Sequence, residues 1–207
     1  MSAPLPETAS VPTKTKPRTR PPEERREDLM NAAERLFIDQ GFASTTVEQI
    51  TTRAGMAKGS FYLHFASKEA VAGGLRQRFV DTLLQAIEAE VERRADGDWT
   101  GRLAAWVTAC SRGYATSVRL HEIVFTDVPP PSQDGLTDNI LIDHLAGLLG
   151  DGSDAKAWAI ADARFTAAFL FNALHGVVLG AARTGRADAI SSQVVDHCFR
   201  VVGIAPA

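Results

Sequence analysis

This 207-residue sequence has few cysteines and no long apolar run. Its two cysteines, Cys110 and Cys198, are too few and too far apart for a disulfide framework or a thiolate zinc site, which fits a reducing compartment. No stretch approaches the roughly 20 uninterrupted apolar residues of a membrane span, and charges and prolines stand where a signal peptide would have an apolar core. We therefore expect a cytoplasmic protein.

The sequence also lacks the basic total that is typical of a nucleic-acid binder, because its formal net charge is -3. Residues 1–70 hold ten Lys and Arg against nine Asp and Glu, a balance of +1, and the remainder holds twelve against sixteen, a balance of -4. Binding to DNA needs a local basic surface and not a basic total. The sign of this modest asymmetry therefore fits an N-terminal part that faces DNA.

Proline is concentrated at the N-terminus, where six of the ten prolines lie within the first 22 residues. They alternate with the basic residues Lys14, Lys16, Arg18 and Arg20, and no apolar periodicity accompanies them. We predict a disordered basic arm over residues 1–22. Two functions remain open for this arm: a solvating tail, or a segment that touches DNA phosphates or a minor groove.

Beyond the arm, apolar residues recur at helical spacing and β-type alternation of useful length is absent, which predicts an all-α fold. The first helix is predicted over about Glu23 to Gln40 and ends at Gly41. Thr45 with Glu48 three residues later has the pattern of a capping box, which predicts a short second helix over about Thr46 to Arg53.

A tight turn and a third short helix are predicted next. Gly55 supplies the turn that two steeply crossing helices require, and a helix over about Ala57 to Phe65 carries Phe61 and Phe65 on one side. Ser67 is the predicted N-cap of a longer fourth helix. The first three helices in this order are predicted to form a three-helix helix-turn-helix DNA-binding domain.

The rest of the chain is also predicted to be helical, with a loop at Pro129–Pro131. Two segments with helical apolar spacing run Leu75, Phe79, Leu83, Ala86, Val91 and Leu103, Trp106, Val107, Cys110, Tyr114. The Asp151, Gly152, Ser153 triplet is predicted to separate a helix of about Asn139 to Leu149 from a long one of about Asp154 to Arg183. A last helix is predicted over about Ala187 to Val202.

The segment from Thr45 to Glu69, TTVEQITTRAGMAKGSFYLHFASKE, resembles the DNA-binding signature of the tetracycline-repressor (TetR) family. The matching residues are Thr45, Thr46, Ile50, Ala54, Gly55, Gly59, Tyr62, His64, Phe65, Ser67, Lys68 and Glu69. Met56 and Ala57 depart from the usual Val and Ser, so the third helix lacks a hydroxyl N-cap. The resemblance covers about Glu23 to Leu83, which we take as the DNA-binding domain (23–83), followed by an effector-binding and dimerisation domain (84–207).

The residues of this segment divide into base readers and phosphate contacts. If Phe61 and Phe65 are buried, the side of the third helix that can face a major groove carries Lys58, Gly59, Ser60, Leu63 and His64. The resemblance implies that the phosphate contacts are Thr45, Thr46, Tyr62, His64 and Lys68. Each residue alone would more often be a packing residue or a solvated charge. Their combination at these spacings favours DNA contact.

The family resemblance implies a homodimer built from the last two long helices, and the small residues of the long helix would let helices approach closely. An intramolecular contact would use the same small residues, so both readings stay open. A pocket in the C-terminal domain is expected for a small, largely apolar effector. Its candidate lining residues are Trp106, Cys110, Tyr114, His121, Phe125, Phe165, Phe169, Asn172 and His175.

Taken together, the sequence predicts a ligand-responsive transcriptional regulator, a repressor that binds a palindromic operator as a dimer and is released by its effector. The alternative is an architectural or activator DNA-binding protein without an effector. No catalytic motif is present, so we expect no enzyme activity and no cofactor. A metal cage from His121, His144 and His175 would rest on counting histidines, and we predict no metal site.

Overall fold

The structure is a computed structural model of the chain, and it describes residues 21–128 and 139–205. These residues form α-helices and one π-helical turn, and no β-strand occurs among them. The helices of the N-terminal part are α1 (Pro22–Gln40), α2 (Val47–Arg53), α3 (Lys58–Phe61) and α4 (Lys68–Glu92). They are followed by α5 (Trp99–Thr116), α6 (Val118–Glu122), the π-helical turn Ile123–Asp127, α7 (Ile140–Asp154), α8 (Ala163–Arg183) and α9 (Ala187–Val201). The predicted all-α fold is confirmed.

Two segments with sequence predictions lie wholly or mainly outside the described residues. These are the basic arm, of which residues 1–20 are not described, and the loop at Pro129–Pro131. The disordered arm and the loop therefore remain predictions.

The helices are organised around two apolar cores. The first core packs α1, α2, α3 and the first turns of α4, and its fully buried side chains include Leu29, Phe37, Ile50 and Phe61. The second core packs the remainder of α4 with α5, α7, α8 and α9 around Trp106. Because α4 contributes to both cores, the predicted boundary after Leu83 falls inside one continuous helix.

The π-helical turn connects the two cores. Ile123, Val124 and Val128 are buried in the first core, and Phe125 packs against both. Arg76 of α4 donates from Nε to the Val124 carbonyl oxygen over 2.9 Å and from Nη2 to the Val128 carbonyl oxygen over 2.9 Å. These bonds satisfy carbonyls at the end of the turn that have no helical partner, so α4 and the turn are joined by polar as well as apolar contacts.

The predicted separation of α7 from α8 was wrong in its position. Helix α7 continues through Gly152 to Asp154, and α8 begins at Ala163, where Asp162 caps it by accepting from the Phe165 N–H. The indole of Trp158 packs directly against Gly152 of this helix. A Cβ at this position would stand 2.1 Å from the Trp158 ring, so a larger residue would not fit there. The Trp158 Nε1–H also donates to the Leu149 carbonyl over 2.8 Å, which closes α7 onto the connection.

Candidate nucleic-acid interface and helical-domain core

The α2–turn–α3 unit is held by local hydrogen bonds. The Thr46 hydroxyl accepts from the Gln49 N–H, and the Gln49 side chain accepts from the Thr46 N–H over 2.8 Å, so Thr46 and Gln49 form a capping box. The predicted box at Thr45 and Glu48 was therefore one residue too early. Gly55 takes a φ of 67°, the left-handed conformation that favours glycine, and turns the chain into α3.

The third helix has the predicted division between a buried and an outward side. Phe61 is fully buried and Phe65 is 4% exposed, whereas Tyr62 is 59% and Leu63 80% exposed. The α-helix proper is shorter than predicted and ends at Phe61, and the chain continues as turns to His64. Because Leu63 is 80% exposed, it does not stabilise the fold by burial. The outward side is therefore a better candidate for a partner surface than the buried side.

The remaining predicted base readers also lie at this surface. Lys58 and Gly59 are exposed, and Ser60 and His64 are half-buried. A Cβ on Gly59 would meet no atom within 4 Å, so packing within the fold does not require glycine there. The Lys58 ammonium lies 3.6 Å from the Glu48 carboxylate of α2, and both side chains are largely exposed. Such a pair contributes roughly 0 to 1 kcal/mol and leaves Lys58 free to change partner.

Three of the predicted phosphate contacts have side chains that make hydrogen bonds within the protein. Thr45 is 1% exposed, and its hydroxyl donates to the Gly41 carbonyl over 2.9 Å, so burial removes it from the surface and corrects that prediction. The Lys68 ammonium donates to the carbonyl oxygens of Phe42 and Thr45 over 2.7 and 2.8 Å. Thr46 is exposed, and its hydroxyl serves the capping box.

Buried polar groups of the second core form a separate cluster around two histidines. The Nε2 atoms of His121 on α6 and His175 on α8 lie 3.0 Å apart, so one imidazole donates and the other accepts. His121 stacks on the Phe125 ring at 4.5 Å, and the Tyr114 ring meets His175 edge-on at 4.8 Å. All four residues are among the predicted pocket residues. Phe79 and Phe171, which complete the cluster, are not, because in the sequence they look like ordinary aromatic residues on a helix face.

Burial controls the protonation of this cluster. Desolvation lowers the pKa of His121 to about 4, and the neighbouring His175 acts in the same direction. Desolvation also lowers the pKa of His175 and raises that of the Tyr114 hydroxyl. The Nδ1 atom of His121 is buried without a hydrogen-bond partner among the described residues. At neutral pH the pair is therefore uncharged.

The other candidate pocket residues separate into core and surface. Trp106 is fully buried and donates from Nε1 to His144 Nδ1 over 3.0 Å, and Cys110 is fully buried, where desolvation raises the pKa of its thiol. Asn172 bonds back to the Ala168 carbonyl on its own helix. Phe165 is 70% and Phe169 55% exposed, so neither lies in the interior, and Phe169 instead lines an outer groove. Their role in ligand binding stays a prediction.

An apolar groove opens between α8 and α9 on the outside of the second core. Its volume is about 470 Å³. Its lining residues are Phe169, Leu170, Ala173, Leu174, Val177, Ile190, Gln193, Val194, His197, Cys198, Arg200 and Val201. The helix α8 is also the one helix in the described part of the chain that is long and apolar enough to cross a membrane, with 39% of its most apolar window buried. A soluble helix with a bare apolar side gives the same result.

Among residues 21–128 and 139–205, no three His, Cys, Asp or Glu side chains lie together in a way that could hold a metal ion. His144 accepts a hydrogen bond from Trp106, whereas His121 and His175 bond to each other.

Comparison with known proteins gives the same assignment for the N-terminal part. Residues 29–73 match the family described as "Bacterial regulatory proteins, tetR family". The HTH-type transcriptional repressor DhaR of Mycobacterium sp. (strain GP1) is 37% identical over 67 residues, 32% of this chain and 34% of DhaR. The HTH-type transcriptional activator FasR of Mycolicibacterium smegmatis is 34% identical over 76 residues, 37% of this chain and 35% of FasR. The chain thus matches about a third of the length of each of these two relatives.

The fold as a whole is similar to solved regulators. The structure of FadR from Bacillus subtilis in complex with stearoyl-CoA superimposes with a TM-score of 0.67 at 19% identity, covering 86% of this chain and 97% of that chain. At this identity the likeness concerns the fold. The family match and the relatives support the predicted resemblance to the TetR family for the N-terminal part, and the solved structures show the same fold over most of the chain.

Proposed function

We propose that this protein is a DNA-binding transcriptional regulator whose base-reading surface is the outward side of α3. The observation that carries the proposal is the contrast on this short segment between buried Phe61 and exposed Tyr62 and Leu63. Exposed Lys58 and Gly59, with half-buried Ser60 and His64, supply a donor, a close backbone approach and hydrogen-bonding groups for base edges and phosphates. The buried aromatic side holds this surface in place.

Selection of binding sites from a random pool of DNA duplexes tests the proposal. We expect wild-type protein to enrich a sequence with two related half-sites, and Lys58→Ala to weaken binding and alter base preference at one position of each half-site. Arg94→Ala is the matched control, because Arg94 is exposed near the opposite end of α4 from α3. Failure of the wild-type protein to enrich any sequence would contradict the proposed function.

We further propose a homodimer through the α8–α9 groove. Gly176 and Gly180 are exposed, and a Cβ on either would meet nothing within 4 Å, so packing within one chain does not explain these small residues. Exposed Phe169, Val177 and Val201 border the same groove and form an apolar surface that a second copy would bury. Two copies would also supply the two recognition surfaces that a palindromic operator requires.

Sedimentation at micromolar concentration tests the dimer. Phe169→Glu should shift the protein to a monomer, because a charge in a closed apolar interface loses its hydration without gaining a partner. Leu63→Glu is the control, since it places the same charge on another exposed apolar residue, just after α3, and should leave the dimer intact while abolishing DNA binding. Dimerisation of Phe169→Glu at wild-type affinity would contradict this interface.

An effector that releases the protein from DNA is the third part of the proposal. The polar groups of the buried cluster, Tyr114, His121 and His175, lie among aromatic rings, a composition suited to a largely apolar molecule with one hydrogen-bonding group. FadR from Bacillus subtilis, which has a similar fold, was solved with stearoyl-CoA, a molecule with a long apolar acyl chain and a polar, charged coenzyme A part. Titrating candidate ligands against free and DNA-bound protein tests the idea, because DNA must weaken effector binding by the same factor by which effector weakens DNA binding.

A regulator without an effector is the second candidate, and the packing of the cluster favours it. His121, Phe125 and Phe79 meet ring against ring with centroid separations of 4.5 to 5.9 Å, so a ligand would have to displace side chains to enter. Equal ligand affinity with and without DNA, or no ligand-induced rise in melting temperature, would support this candidate. The proposed cytoplasmic location is common to both.

A further inference from the structure

The side chain of Lys68 joins the start of α4 to the connection between α1 and α2. Lys68 follows the N-cap Ser67, whose hydroxyl accepts from the Ala70 N–H. Its ammonium reaches back over 26 and 23 residues of sequence to the carbonyl oxygens of Phe42 and Thr45, at 2.7 and 2.8 Å. The same nitrogen lies 4.2 Å from the centre of the Phe42 ring. Two of the three N–H donors of the ammonium are therefore used inside the domain.

The carbonyl of Thr45 belongs to the peptide bond that enters α2. The oxygen of this peptide accepts from Lys68, and its N–H, which is that of Thr46, donates to the Gln49 side chain over 2.8 Å. The peptide plane is thus fixed from both sides. The Phe42 ring, in turn, packs edge-on against Phe37 of the first core at 5.1 Å, so the ammonium is seated on a ring that is itself held in place.

Hydrogen bonds from a charged donor to carbonyl oxygens are about twice as strong as neutral ones, and cation–π contact adds to them. To contact a phosphate, Lys68 would have to give up its hydrogen bonds to the two carbonyl oxygens, or bind the phosphate with its one remaining N–H donor. We propose that Lys68 is a positioning residue: it fixes the direction in which α2, and with it α3, leaves the α1–α2 connection, and it is not a phosphate ligand. This inference rests on the proposed DNA-binding function.

The salt dependence of DNA binding separates positioning from phosphate contact. Removing one phosphate contact lowers the slope of log K against log salt by about 0.9, whereas loss of a positioning residue weakens binding without that change. With a duplex selected by the wild-type protein, we expect Lys68→Met to bind about tenfold more weakly and to keep the wild-type slope to within about 0.4. Lys58→Ala removes a cation of the DNA-facing surface from both copies of the proposed dimer. It is the positive control and should lower the slope by about 1.8, which is about 0.9 for each copy.

Hydrogen exchange of backbone amides provides a readout that does not need DNA. We expect Lys68→Met to raise exchange at Thr45, Thr46 and Gln49, the amides that the connection protects. Lys68→Gln is the matched variant, because glutamine is also uncharged but keeps N–H donors for the two carbonyls. It should restore part of the protection and of the DNA affinity, although it carries no charge for a phosphate.

The outcomes divide cleanly. If both neutral variants lower the slope by about 1.8, which is about 0.9 for each copy of the dimer, while exchange at these amides stays at the wild-type rate, Lys68 is a phosphate ligand and the inference fails. If Lys68→Met does not fold, Lys68→Gln carries the same comparison. If the wild-type protein selects no duplex, the proposed function fails, whereas the exchange measurements still decide whether Lys68 fixes the connection.

Discussion

Acidification should destabilise this protein through the buried His121–His175 pair. The two Nε2 atoms lie 3.0 Å apart, His121 is 5% exposed, and burial lowers its pKa to about 4. Protonating both rings would place two positive charges at that distance in an aromatic surrounding. The charge of Glu122 opposes this effect, and that of Arg183 reinforces it.

The size of the effect follows from the difference between the folded and unfolded chain. Unfolded His121 takes up a proton near pH 6.5, and the folded form resists it until about pH 4. Above pH 6.5 the ring is neutral in both states, and its burial does not lower the free energy of unfolding. Between about pH 6.5 and 4 the unfolded chain binds a proton that the folded chain does not, so the free energy of unfolding falls as the pH is lowered. From a pKa of about 4, linkage gives a fall in the free energy of unfolding of about 1.3 kcal/mol between pH 7.5 and 5.5, to which His175 adds in the same direction.

Urea unfolding of wild type and His121→Phe at pH 7.5 and 5.5 measures this contribution. Phenylalanine keeps the ring that stacks on Phe125 and removes the titration, so the variant should lose about 1 kcal/mol less than wild type between the two pH values. Protein concentration must be equal throughout, because dimerisation raises apparent stability. If His121→Phe and wild type lose the same amount, the pair does not hold the neutral state described here.

Three further changes test packing, charge and connection. Gly113→Val should lower the free energy of unfolding by about 1 to 3 kcal/mol in a urea titration, because even a Cβ there would lie 2.3 Å from Leu83 Cδ1 across the α4–α5 contact. Glu48→Gln should strengthen DNA binding and steepen its salt dependence in a titration, since it releases Lys58 for a phosphate or base; unchanged binding would contradict this. Arg76→Met should cost about 2 to 4 kcal/mol in thermal unfolding by leaving carbonyls of the π-helical turn without their charged donor.

Much of the first core could be predicted from sequence because its signals are local. The spacing of Phe61 and Phe65, the left-handed turn at Gly55 and the N-cap at Ser67 are properties of short segments, and the structure has all three. The slip of the capping box has an equally local cause. Thr45 with Glu48 and Thr46 with Gln49 both satisfy the motif, and the choice depends on the burial of Thr45, which only tertiary packing determines.

At the candidate sites, the contacts that sequence patterns do not reveal are those between distant parts of the chain. Lys68 has the same sequence context whether its ammonium faces a phosphate or two carbonyls more than 20 residues away, so no local pattern distinguishes the two. The π-helical turn that receives Arg76 has no sequence signature of its own. The candidate pocket combined residues by type, and type alone does not say which side of a helix packs against a neighbour.

Helix α8 shows why this last distinction matters for function. Phe171 and His175 lie on the side that packs into the second core, whereas Phe169 and Val177 lie on the exposed side. A helix that is apolar all round is expected to be buried all round, in a core, an interface or a membrane. One chain covers only the first side of α8.

The bare side continues into the apolar groove with α9, next to Gly176 and Gly180, where an added Cβ would meet no atom of the described residues within 4 Å. A second copy would cover the apolar stripe of α8, whereas lipid would also meet Gln193, His197 and Arg200, the polar side chains of α9 that line the same groove. For this reason we favour the dimer over a membrane as its partner.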